Sequence, residues 1–142
     1  MGVLPDEIKP AMQGVIPCHI VTCSLDGTPN ATTISQVYYV GPDHVALSHQ
    51  FFNKTVKNVR ENPHAVVSVI SPETLESWDL EMEFERSETS GPVFDAMDMQ
   101  IEAIASMTGM KGIFKLKAAD IYRVKSAKRS VGERVPLSEI DK

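Results

Sequence analysis

From Trp78 to Glu85 the chain alternates without a break: Trp78, Leu80, Met82 and Phe84 are apolar, and Asp79, Glu81, Glu83 and Glu85 between them are acidic. A period of two puts the apolar set on one side of an extended strand and the carboxylates on the other. This stretch must therefore be a half-exposed β-strand, and a strand of that kind needs a sheet and a core to face. The carboxylate row is read as a solvated face rather than acid/base machinery or a cation site, because four like charges along one strand face most often meet water.

Other segments supply the partners. His19 to Leu25 has β-branched, apolar character, and Asp26-Gly27 is a strong hairpin signal before a second strand from Asn30 to Val40. Along that second strand Ala31, Thr33 and Ser35 share one face, and Thr32, Ile34 and Gln36 the other. A floor of small, hydroxyl-bearing residues lets a flat ligand approach the backbone, though an ordinary β-branched strand reads the same way. Gly41-Pro42-Asp43 is a turn, His44 to Gln50 a third strand, and His64 to Ser71 a Val-rich strand of the kind buried on both faces. Gly112 to Lys117 and Ile121 to Val124 read as a last strand interrupted by a bulge at Ala118-Ala119-Asp120.

Helices are few. Pro5 to Gln13 reads as a short helix with Pro10 in its middle. Gly91-Pro92 opens a second whose apolar positions Phe94, Met97, Ile101, Ile104 and Ala105 trace one stripe, ending near Gly109. Six strands with peripheral helices predict an α+β fold, an antiparallel barrel. The 142 residues suit a single domain, with a polar tail over 126–142.

The stretch from Ser48 to Pro63 carries the chemistry. Asn53 is a good N-cap, Val56 and Val59 lie on one side of the following helix, and Lys54, Lys57 and Arg60 form a basic face. Asn62-Pro63 ends the helix. A helix start offers free N–H groups and partial positive charge to an anion, with the Lys54 ammonium and Thr55 hydroxyl beside them. On helix geometry alone a solvated basic face is the commoner explanation. The net charge of −5 argues against nucleic-acid or anionic-membrane binding and makes a local basic cluster more informative.

Cys18 and Cys23 do not have the spacing of a zinc module; in an extended segment Cys23 falls on the side of His19 and Cys18 on the other, so they read as reduced thiols. The sequence shows neither a membrane span nor a signal-peptide h-region, so a cytoplasmic protein is expected.

Together, Pro29 to Val37, Ser48 to Pro63 with its Asn53-Lys54-Thr55 and Asn62-Pro63, and Thr74 to Trp78 resemble the FMN-binding split-barrel superfamily, which includes pyridoxamine 5'-phosphate oxidase. The resemblance runs from Pro17 to about Val124. It implies a six-stranded antiparallel split β-barrel, FMN as cofactor, and a homodimer with flavin at the interface. Lys54 and Thr55 would hold the phosphate. Thr33, Ile34, Ser35 and Gln36 would line the isoalloxazine ring, Ser48, His49 and Gln50 would lie beside it, and Trp78 would touch the FMN of the second subunit.

The activity implied is an FMN-dependent oxidoreductase acting on a small-molecule substrate or electron donor, with the flavin as sole redox centre. The oxidase itself carries Arg and Lys on the second strand, where this chain has Thr and Ser or Gln, and uses a C-terminal Arg and His motif that this chain lacks. Pyridoxamine phosphate oxidation is accordingly not expected. No side chain is a convincing acid or base; His49 is the only nearby candidate, and a histidine at a strand end more often hydrogen-bonds the ligand. A flavin sensor or store without turnover, or the same barrel holding haem or a deazaflavin coenzyme, are the alternatives.

Overall fold

A computed structural model of the chain describes residues 2–12, 17–34, 36–49, 54–107, 109 and 116–129. A 3₁₀ helix, Asp6–Ala11, precedes β1 (Cys18–Cys23), β2 (Pro29–Ile34), β3 (Val37–Gly41), β4 (His44–His49), α1 (Lys54–Glu61), β5 (His64–Ile70), β6 (Ser77–Glu88), α2 (Pro92–Met107) and β7 (Ala118–Arg129). The strands form one antiparallel sheet in the order β2-β1-β5-β6-β7-β4-β3.

That is seven strands where six were expected, because the stretch Asn30 to Val40 is two strands. Ile34 and Val37 are both buried in the core, three residues apart, which an unbroken period of two forbids. The break sends β2 to pair with β1 and β3 to pair with β4, at opposite edges of the sheet. The edges are thus neighbours in sequence but are not hydrogen-bonded to each other among the described residues.

One apolar cluster takes residues from all seven strands, among them Ile20, Ile34, Val37, Leu47, Val67, Leu80 and Tyr122. A sheet that buries one face of every strand in a common core must be coiled around it, as in a barrel. The strongest strand pattern behaves as its alternation requires: Trp78, Leu80 and Met82 are buried. Its acidic face meets the basic residues of β7, with Arg123 Nη2 3.0 Å and Lys125 Nζ 3.7 Å from Glu83.

Three expectations are corrected. β5 is not buried on both faces: Val66 is 37% exposed, and burial alternates along the strand. Ala118-Ala119-Asp120 do not interrupt the last strand but begin it, paired with His49, Ser48 and Leu47. The irregularities lie instead in the β6–β7 pairing, at Glu81/Met82 and Phe84/Arg86. Gly112 to Lys115 lie outside the described residues. Finally, Ser126 to Arg129 are strand rather than tail, paired with Glu81, Leu80, Asp79 and Trp78; residues 130–142 are outside the description.

The helices close and cover the sheet. Pro10, which has no N–H to donate, sits inside the N-terminal turn, which is 3₁₀ and buries Ile8 and Ala11. On α2, Met97 and Ile101 pack in a second cluster with Ala46, Ala119 and Ile121, on the outer face of β4 and β7. α1 adds Val59 to the inner core. Among the described residues no helix is long and apolar enough to cross a membrane.

Candidate functional site

α1 follows β4 by a short connection and begins at Lys54. Asn53, expected to cap it, lies outside the described residues, as do Ser35 and Gln50. The expected division of the helix holds: Lys54, Lys57 and Arg60 are exposed and Val59 is buried. Thr55 and Asn58, however, are as buried as Val59, at 3% and 2% exposure.

Both are satisfied by the β1–β2 hairpin. Asn30 Nδ2 donates to Thr55 Oγ1 at 3.1 Å, and Asn58 Nδ2 donates to Thr22 Oγ1 at 3.1 Å. The two helix positions are three apart, so they face the same way. The hairpin that receives them is set by the Ser24 to Thr28 turn, where Gly27 has φ +89° and Asp26 accepts the Thr28 amide at 3.1 Å. Hydrogen bonds from Ser24 and Thr28 hold the Asp26 carboxyl down at about 2. A groove of about 390 Å³ runs between hairpin and helix, with Lys54 and Lys57 on one wall and Asp26 and Thr28 on the other.

Beside α1 lie the ends of β4 and β7. Ser48 and His49 point to opposite faces of β4. Ser48 is tied to the β2–β3 break: the Gln36 amide N–H donates to Ser48 Oγ at 3.2 Å, and the Ser48 amide donates to the Gln36 carbonyl at 3.2 Å. Gln36 is fully buried, its Nε2 donates to Gln100 of α2, and its Oε1 has no hydrogen-bond partner among the described residues. A buried amide oxygen in that condition is costly unless something supplies a donor.

His49 has its side chain 16% exposed, with Nδ1 3.5 Å from Asp120 Oδ2. Ser87 donates to the other Asp120 oxygen at 2.6 Å. Burial pushes the Asp120 carboxyl above its ordinary range, against the opposing pull of Ser87, His49 and Arg60. Asp120 and Ser87 were not singled out from sequence; only the β4–β7 and β6–β7 registers bring them to His49.

The expected ring-lining residues are divided. Thr33 is exposed on the outer face, opposite His19, whereas Ile34 is buried in the core. Trp78, expected at the FMN of a second subunit rather than at this chain's own site, lies elsewhere on the sheet. It pairs with Val69 and Arg129, is 5% exposed, and has the Arg129 guanidinium 4.9 Å over its ring. Cys18 is buried and Cys23 half-buried, both as free thiols, and burial pushes the Cys18 thiol up to about 11. Among the described residues no three His, Cys, Asp or Glu side chains are placed to hold a metal ion.

A basic helix start with a buried hydroxyl can meet an anion, and an unpaired buried amide at a sheet break can meet a polar edge. A family model described as pyridoxamine 5'-phosphate oxidase matches residues 4–125. The chain belongs to this family. No curated protein matches the sequence. Among solved structures the fold is shared with an FMN-binding protein from Syntrophomonas wolfei subsp. wolfei, at TM-score 0.72 and 16% identity over 89% of this chain and 88% of that one. It is shared also with an F420 reductase, at TM-score 0.62 and 15% identity over 88% and 98% of the two chains. A third is HutZ, the haem storage protein from Vibrio cholerae, at TM-score 0.57 and 15% identity over 91% and 95%. At these identities the likeness establishes the split-barrel fold common to the family.

Proposed function

We propose that this family member binds FMN as a homodimer and works as a cytoplasmic oxidoreductase on a small-molecule substrate or electron donor. One observation carries the reading: α1 begins with the exposed Lys54 followed directly by Thr55, whose buried hydroxyl accepts from Asn30 Nδ2 at 3.1 Å. A phosphate needs charge and a donor together, and this helix start offers both. Gln36, with a buried Oε1 that lacks a donor among the described residues, fits the polar edge of a flavin ring. The family-model match supports the same assignment.

FMN supplies the electron-transfer chemistry when bound. The chain's own part is to hold and orient. Lys54 and Thr55 grip the phosphate, the end of β2 at Thr33 and Ile34 with Gln36 at the break lines the ring, and Ser48 and His49 stand beside it. His49, steadied by Asp120, is the side chain best placed to exchange a proton with a bound substrate. The partner subunit closes the site.

The test is the visible spectrum of the purified protein, mass spectrometry of the molecule released by heat, and the molecular mass in solution. A flavin spectrum, released FMN and a dimeric mass support the reading. Released haem or a deazaflavin would replace it, and so would a colourless protein that takes up no added FMN. Lys54→Ala is expected to purify without flavin, and stoichiometric FMN in that variant would overturn the phosphate assignment.

A further inference from the structure

Thr55 and Asn58 of α1 meet Asn30 and Thr22 of the hairpin in two reciprocal pairs: an amide on the strand with a hydroxyl on the helix, and an amide on the helix with a hydroxyl on the strand. The second pair is fully buried, since Asn58 and Thr22 are each 2% exposed, and it anchors the helix. The first lies where the site begins. Asn30 is half-buried, and its amide nitrogen sits 3.1 Å from Thr55 Oγ1.

A hydroxyl has one proton to give and two lone pairs to receive with. When Asn30 N–H fills a lone pair of Thr55 Oγ1, the Thr55 proton stays available to another acceptor. We propose that Asn30 is a positioning residue that selects a phosphorylated flavin over an unphosphorylated one, by keeping the Thr55 hydroxyl a donor toward the phosphate. Lys54 attracts any anion to the helix start, but a point charge has no direction. The oriented hydroxyl adds the direction. The inference rests on the FMN reading above, and goes further by assigning the phosphate preference to a residue that does not touch the ligand.

Asn30→Asp keeps the size of the side chain and reverses its hydrogen-bonding role. A carboxylate can only accept, so the Thr55 proton turns inward to it and a negative charge is set near the phosphate. The measurement is the dissociation constant of wild type, Asn30→Asp and Thr55→Val for FMN and for riboflavin, by quenching of flavin fluorescence. The wild type is expected to hold FMN far more tightly than riboflavin. Asn30→Asp and Thr55→Val are each expected to weaken FMN by about ten- to a hundredfold, the worth of a hydrogen bond to a charged group, and to leave riboflavin binding unchanged.

Unchanged riboflavin binding also reports an intact fold, and thermal unfolding of each variant checks it independently. The double variant is expected to be no weaker than the poorer single one, because both remove the same contact. If the wild type prefers FMN and Asn30→Asp keeps that preference, the role of Asn30 is overturned and the FMN reading stands. If the wild type binds neither flavin, or both alike, the phosphate grip itself falls and this inference with it.

Discussion

The barrel is stopped at its two ends by different chemistry. At one end the N-terminal 3₁₀ helix adds Ile8 and Ala11 to the apolar cluster that holds Trp78, and Glu7 ties the rim through Arg129 at 3.3 Å. At the other, α1 adds only Val59 to that cluster; its remaining buried positions are Thr55 and Asn58, and nearby stand His49, Asp120 and Ser87. Apolar closure asks for volume and shape, and tolerates substitution when both are kept. Polar closure asks for each donor to find its acceptor, and a buried group that fails to do so destabilises the fold. A chain with no use for α1 beyond covering the core would be better served by a second apolar plug. On the proposed reading, the polar end is where the molecule gives up stability for ligand binding.

Truncating Trp78 tests the apolar end. Trp78→Ala is expected to cost about 3–5 kcal/mol in denaturant unfolding, as for other large core aromatics. A loss under about 1 kcal/mol would be out of line with a buried core ring. It would mean that the ring is free of the core and available to a ligand on a second subunit.

At the polar end the expected loss is smaller and of another kind. Asn58→Ala leaves the Thr22 hydroxyl buried without its donor, worth about 1–3 kcal/mol, and by loosening α1 it also weakens flavin binding. Thr22→Val removes the same hydrogen bond from the other side. Combined, the two are expected to cost less than their sum, since each breaks one shared bond. Strict additivity in urea unfolding would show that the pair is incidental, and the contrast between the ends would lose its best-buried example.

What the sequence makes legible follows the same division. Trp78 to Phe84 and the Asp26-Gly27 turn are local patterns, and local physics fixes them: period two for the strand, positive φ for the turn. The basic face of α1 is legible for the same reason, being a matter of helical spacing. The break between Ile34 and Val37 is not, because nothing within that strand requires it; it arises from pairing with β1 on one side and β4 on the other. The polar contacts at α1 join residues 25 and 36 positions apart, and Ser87 meets Asp120 across 33. Thr55, Asn30 and Asn58 read singly as unremarkable polar residues. Only the register turns them into partners, so the residues proposed to grip a phosphate can be named from a motif while those that hold them in place cannot.

The smallest effect expected is at Asp120, and it has a direction. Burial raises its carboxyl pKa in the folded protein, more than Ser87, His49 and Arg60 lower it. A group whose folded pKa is raised contributes stability that is fully present below its unfolded value of about 3.9, and that contribution is lost as pH rises through the raised folded value. Asp120→Asn cannot titrate. Wild type is therefore expected to lose stability relative to Asp120→Asn as pH is raised above about 4. The sign separates two accounts of the polar end. If His49 and Arg60 compensated the buried carboxylate in full, the two proteins would melt in parallel across that range, and α1 would be closing the barrel at no electrostatic cost. A divergence in the stated direction means that ionising the buried Asp120 carboxyl carries a penalty in the folded protein that its neighbours do not fully offset.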